Sequence, residues 1–176
     1  MSSNELNKLL NIATNKNHIN GTLIKHLKGT YSLLKSWGAN EDLCSAGLYH
    51  ALYGTSGFDN HLIHVNDRSQ AKLILGNKIE KIIYTYCACD RNSFWSQIGV
   101  IQQPVFLNRF TNKMNLLNQE ELEQFCELTV ANEIDIAKNN HEFIKTYGQS
   151  LNDLFRRMKP YLSVKANKSM KVVFEK

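Results

Sequence analysis

Proline is scarce in this chain of 176 residues, with only Pro104 and Pro160 present, so long helices are permitted almost everywhere. Long apolar runs are missing too. No window reaches the unbroken stretch of about 18 apolar residues that a membrane span needs. The opening segment, MSSNELNKLLNIATNKNHING, lacks the basic start, apolar centre and small-residue cleavage site of a signal peptide. A cytoplasmic protein is therefore expected. The four cysteines, Cys44, Cys87, Cys89 and Cys126, lack the spacing of a disulfide framework, and no C-x-x-C pair offers a zinc knuckle. They are expected to be plain thiols of the core, where free cysteine behaves as a small hydrophobe. Internal repeats and low-complexity tracts are absent. Concentrated charge is also lacking: the formal net charge is +5 and the pI about 9.0, yet lysines gather only from Lys165 to Lys176. That balance favours anionic partners in general. Without interleaved aromatic and basic residues it disfavours nucleic acid.

What is present is an ordinary globular composition, 43% hydrophobic and 21% charged, in a length that suits one domain. Apolar residues at Leu23, Leu27, Tyr31, Leu34 and Trp37 follow helical spacing and stop at Gly38, which suits a left-handed helix end. A helix is expected over the first seventeen residues, another from Glu41 to Leu52, and a third capped by Asp67 and ending at Gly76. Ile79, Ile82, Ile83 and Tyr86 line a further helix. Asn118 and Glu121 form a capping pattern for a long helix to about Asn139. Phe143 to Met158 completes the set before Pro160, and Val172-Val173-Phe174 reads as a short strand or a loose end. Residues 93 to 117 give no clear pattern. The expected fold is all-α, with about seven helices in one domain over 1–163 and a basic tail over 164–176.

Three residues stand out as chemistry. His26 and His50 each lie on a helix flanked by apolar residues, and Asp90 sits at a helix terminus. Two imidazoles and a carboxylate can hold one borderline metal with positions left open for water or substrate. The plainer alternatives are core histidines and a helix cap. Directly after His50, Tyr53-Gly54-Thr55-Ser56-Gly57 is either a simple turn or a loop whose N–H groups and hydroxyls meet a phosphate. Arg68 has the planar fork that binds phosphate or carboxylate, with a surface arginine as the plain alternative. His61 and His64, spaced i, i+3, sit in a polar loop-like stretch that favours a solvated role.

The order LIKHLKGTYSLLKSWGA, DLCSAGLYHALYGTSGF and LGNKIEKIIYTYCACDR resembles the HD superfamily of metal-dependent phosphohydrolases. The likeness is closest to the branch that removes pyrophosphate from guanosine tetraphosphate, and it covers about residues 18 to 92. By that resemblance His26 matches the first histidine, His50 the histidine of the H-D pair, and Asp90 the last metal ligand. Tyr53-Gly54-Thr55 stands in the place of E-D-T, and Leu75-Gly76 near the place of F-G. Ala51 occupies the position of the aspartate that names the superfamily. The block A-G-L-x-H-x-x-Y-G-T-x-G-F also resembles a little-characterised HD-like group, of which Arg68, Glu80, Arg91, Asn132, Glu133 and Asp135 look like further parts.

The resemblance implies a metal-dependent hydrolase acting on a phosphate ester or a nucleotide-like anion. Iron, manganese or zinc would sit on His26, His50 and Asp90. His50, Thr55 and Arg68 would act in catalysis, and Tyr53, Gly54, Thr55, Arg68 and Arg91 would hold the substrate. The missing aspartate makes His61 or His64 a candidate replacement. It also motivates a degenerate domain that binds a ligand or protein without turnover. Two histidines and one carboxylate equally suit a non-haem iron oxygenase. The partners expected are a small anionic substrate and a second copy of the chain in a homodimer, with no membrane.

Overall fold

A computed structural model describes residues 17–18, 21–138 and 140–175, the first pair by backbone alone. The helix expected over the first seventeen residues lies outside the described residues except at Asn17, which pairs as a strand residue with Thr22. The architecture is mainly α, in one domain, with eight helices among the described residues.

β1 (Asn17–His18) and β2 (Gly21–Thr22) form a minimal antiparallel ladder that leads into α1 (Leu23–Trp37). α1 buries Leu23, Leu27, Leu34 and Trp37 of the expected stripe, while Tyr31 is only half-buried. It ends at Gly38, where φ is +85°, a left-handed conformation that costs glycine nothing. α2 (Glu41–Leu48) is capped by Asn40, whose side chain accepts the Leu43 N–H at 2.8 Å. α1 and α2 press together at Gly47, where a Cβ would stand 2.5 Å from Leu34 Cδ1.

α2 stops four residues short of the expected Leu52. The reason is local: His50 Nδ1–H donates to the Gly47 carbonyl at 2.8 Å, an acceptor that a continuing helix would give to Ala51 N–H. The chain then tightens through Leu52 N–H to Tyr49 O and Gly54 N–H to Ala51 O. This turn carries His50 and Ala51 inward, both nearly inaccessible.

α3 (Arg68–Leu75) and α4 (Asn77–Ala88) follow, broken by Gly76 at φ +85°. Asp67 occupies the N-cap position without a side-chain capping bond. Asp90 caps the short α5 (Arg91–Trp95) by accepting Ser93 N–H at 2.9 Å. The stretch without a clear sequence pattern holds an antiparallel hairpin, β3 (Val105–Asn108) with β4 (Lys113–Leu116). Its first strand clamps the end of α4: Asp90 N–H donates to Leu107 O at 3.0 Å and Arg109 N–H to Ala88 O at 2.8 Å. That clamp fixes where α5, and so Arg91, can lie.

α6 (Gln119–Ala137) is the central helix. It opens with the expected capping box, Asn118 accepting Glu121 N–H and Glu121 accepting Asn118 N–H. It buries residues on all sides, as a helix surrounded by others must, with α1, α2, α4, α7 (His141–Met158) and α8 (Val164–Phe174) packed around it. Val172–Phe174 belongs to α8, not to a strand or a loose end, because Ala166, Met170 and Phe174 repeat at helical spacing and are buried. The basic segment is thus the polar face of a packed helix. Asn118→Ala is expected to lower stability by about 1 kcal/mol, readable as a shift of the urea midpoint at unchanged slope.

Candidate functional site

The site grows from the buried polar residues that an otherwise apolar core must satisfy. His26, one turn into α1, is 3% exposed, and Asn132 and Glu133 on α6 are 4% and 5% exposed. Each has its bonds in view. His26 Nδ1–H donates to Asp135 Oδ2 at 2.7 Å, across the seam between α1 and α6. Asn132 Nδ2–H donates to Glu133 Oε1 at 2.8 Å, which sets the amide so that Oδ1 faces His26 Nε2 at 3.0 Å. His50 Nε2 lies 3.1 Å from His26 Nε2, the two rings meeting edge to face.

These bonds decide which atoms do what. Nδ1 of each ring donates, His26 to a carboxylate and His50 to the Gly47 carbonyl, so in the neutral rings each Nε2 carries a lone pair. Three electron-pair donors therefore meet, with His50 Nε2 and Asn132 Oδ1 at 3.1 and 3.0 Å from His26 Nε2. An outer carboxylate on one histidine and an outer carbonyl on the other are the contacts that orient metal-binding histidines.

Gly29 makes this possible. It sits three residues after His26 on α1, and a Cβ there would stand 2.6 Å from Asp135 Cγ. Asp135 thus reaches His26 through space that only glycine leaves.

The donor cluster lies on the wall of a cavity of about 400 Å³ bounded by α1, the turn after α2, and helices α5, α6 and α7. Its polar wall holds His26, His50, Thr55, Asn132 and Arg91, and its apolar wall includes Trp95, Ile136, Phe143 and Tyr147. Arg91 is 9% exposed, stacks over Tyr86 at 4.7 Å, and meets Glu133 only at 3.6 Å through Nη1. Burial pushes the Glu133 carboxyl up, against Arg91 and Asn132, which pull it down. The Cys87 thiol donates to His50 O at 3.1 Å, and burial pushes it up to about 12. All four cysteines are buried and free.

The structure separates the expected site residues. His26, His50, Thr55 and Arg91 share the cavity wall. Tyr53 and Arg68 do not reach it, because both are committed to Glu80, which is fully buried. Arg68 Nε and Nη2 donate to the two Glu80 oxygens at 2.7 and 2.9 Å, Tyr53 O–H donates to Oε1 at 2.9 Å, and Arg68 Cζ sits over the Tyr84 ring at 3.3 Å from its centre. Gly54 shapes the turn at φ +72°, where a Cβ would press on Phe58 O and Asp59 O at 3.1 Å. Asp90 is spent on capping α5 and is not on the cavity wall. Among the described residues no three His, Cys, Asp or Glu side chains gather closely enough to hold a metal ion, so the expected trio with Asp90 does not form. The third donor beside the imidazoles is the amide of Asn132. His61 and His64 meet each other edge to face on the surface, and neither lines the cavity.

The sequence marks Asn132 as part of a pattern without giving it a role, and Gly29 passes unmarked. The available signal was Asn132 and Glu133 falling among the apolar residues Leu128, Val130, Ala131 and Ile134.

A family model, a domain of unknown function (DUF6817), matches residues 9–91. The matched segment takes in His26, His50 and Arg91 and stops short of Asn132 and Asp135. No curated protein and no solved structure gives a match. No helix among the described residues is long and apolar enough to cross a membrane.

Proposed function

We propose that the cavity is the active site of a metal-dependent hydrolase of HD-like type acting on a phosphate ester or nucleotide-like anion. A single divalent iron, manganese or zinc ion would be held by His26 Nε2, His50 Nε2 and Asn132 Oδ1. The observation that supports this is the convergence of those three donors, each with its other polar atom held elsewhere. The donor set fits such an ion, since imidazole nitrogen suits iron and zinc and carbonyl oxygen suits manganese. When bound, the ion would activate a water and polarise a phosphoryl oxygen.

The chain's own residues do the rest. Asp135 and the Gly47 carbonyl hold the imidazoles in register. Arg91 places a buried positive charge on the same wall. The ligands themselves are neutral, because Asn132 supplies an amide and Ala51 no side-chain donor, so an anionic substrate meets less repulsion than a carboxylate-rich site would give. Asp135 lies on the outer nitrogen of His26, so among the described residues the third donor is an amide, which favours hydrolysis over the oxygenase alternative. A second reading, ligand binding without turnover, is favoured by Ala51 on the cavity wall.

Elemental analysis of freshly purified protein tests the proposal. An equimolar transition metal is expected, lost in His26→Ala, His50→Ala and Asn132→Ala and kept in Asp90→Ala, all with native helical circular dichroism. Unchanged metal in His50→Ala would sink the assignment. Metal-free protein that stays metal-free in excess iron, manganese and zinc would leave ligand binding as the function.

A further inference from the structure

Two arginines in this fold present the same edge of the guanidinium in opposite situations. In Arg68 the side-on fork of Nε and Nη2 is filled by the Glu80 carboxylate. In Arg91 the same two nitrogens are buried without a hydrogen-bond partner, and Glu133 stands off at 3.6 Å from Nη1. One turn along α5, Trp95 Nε1 is a third buried N–H without a partner. Arg91 and Trp95 both line the cavity that holds the histidine pair. Buried polar groups are nearly always satisfied, and these three share one property: all are donors, and none can accept. Whatever satisfies them brings acceptor oxygens.

We propose that Arg91 and Trp95 form the head-group subsite of the cavity, and that its ligand is a phosphate monoester with a flat, apolar body. The inference rests on reading this cavity as the active site, but not on its metal. Three donors on two side chains suit a tetrahedral head with three terminal oxygens. A carboxylate would use both of its oxygens on the arginine fork alone. Among the described residues lining the cavity, Arg91 is the sole lysine or arginine, and Glu133 already offsets part of its charge. One phosphate is therefore matched and a polyphosphate chain is not. The body follows from the rest of the wall, where Phe143, Tyr147 and Leu151 of α7 and Ile136 of α6 line the cavity, a lining that suits an aromatic ring.

The experiment is calorimetric titration of metal-stripped full-length protein with phenyl phosphate, inorganic phosphate and benzoate. Phenyl phosphate is expected to bind at least about tenfold more tightly than either of the others. Arg91→Gln should weaken it by about 10- to 100-fold, the usual loss for a hydrogen bond to a charged group. Trp95→Phe keeps a ring and removes the N–H, so a loss of several-fold there reports on the subsite even where Arg91→Gln fails to fold. Tyr147→Ala, at a position 51% exposed, should erase the advantage of phenyl phosphate and spare inorganic phosphate. Binding unchanged in both Arg91→Gln and Trp95→Phe, tighter benzoate, or no saturable binding would each overturn the inference. Because the titration is run on metal-stripped protein, failure of the metal assignment would leave this result standing, and the reverse.

Discussion

Arg68→Ala is expected to lower the unfolding free energy by about 3 kcal/mol while leaving phenyl phosphate binding in the cavity unchanged. The reason is Glu80, which has no solvent exposure and takes both Arg68 donors. Removing one partner of a buried ion pair leaves the other charge desolvated, a loss of about 3–5 kcal/mol. The lower end applies because the Arg68 side chain is 30% exposed, so water can reach the vacated space. For a chain of this size that is a fall in Tm of about 6–12 °C. Arg68→Ala/Glu80→Gln should recover part of it, since the neutral amide can still accept from Tyr53 O–H and carries no charge to bury. Thermal denaturation of the three variants beside calorimetric titration separates the outcomes. Weakened anion binding at unchanged stability would return Arg68 to the substrate role that its position in the sequence suggested.

That contrast shows what is legible in a sequence of this kind and what is not. Helix α1 could be read to the residue, because its apolar spacing and Gly38 are local signals. The capping box at Asn118 was equally plain. The end of α2 was not, because it depends on where one imidazole finds its acceptor. The hairpin over Val105–Leu116 was missed because β4 is exposed throughout and β3 alternates over only four residues. In the site, His26 and His50 were visible as polar residues in apolar helices. The sequence offers Asp90 as their third partner, since a charged residue after Cys89 reads as well for a ligand as for a cap, and in the fold it serves as a cap. Asn132 lies 106 residues from His26, and only the packing of α6 on α1 brings them together. Arg68 and Arg91 differ in the same way. Both were candidates for an anion, and what distinguishes them is whether a carboxylate already fills the fork.

Gly29→Ala is expected to weaken metal binding by about 10- to 100-fold, the usual loss when an outer partner of a metal-binding histidine is removed. In an exposed helix this substitution would stabilise the chain, by about 0.5–1 kcal/mol. Here the new methyl meets the Asp135 carboxylate, whose Cγ would lie 2.6 Å away. Asp135 must swing off His26 Nδ1 or the two helices must part, and overpacking of this kind costs about 1–3 kcal/mol. The two sites are therefore coupled, and a double-mutant cycle exposes the coupling. Asp135→Ala should weaken the metal by a similar factor, and Gly29→Ala/Asp135→Ala should be no weaker than either variant alone and more stable than Gly29→Ala. Metal titration with thermal denaturation of all four proteins measures both axes. Additive losses would mean that Gly29 acts through the packing of α1 on α6 and not through Asp135. An unaltered affinity in Asp135→Ala would mean that the His26 ring holds its tautomer without the carboxylate, and would remove the reason for a glycine at this position in the site.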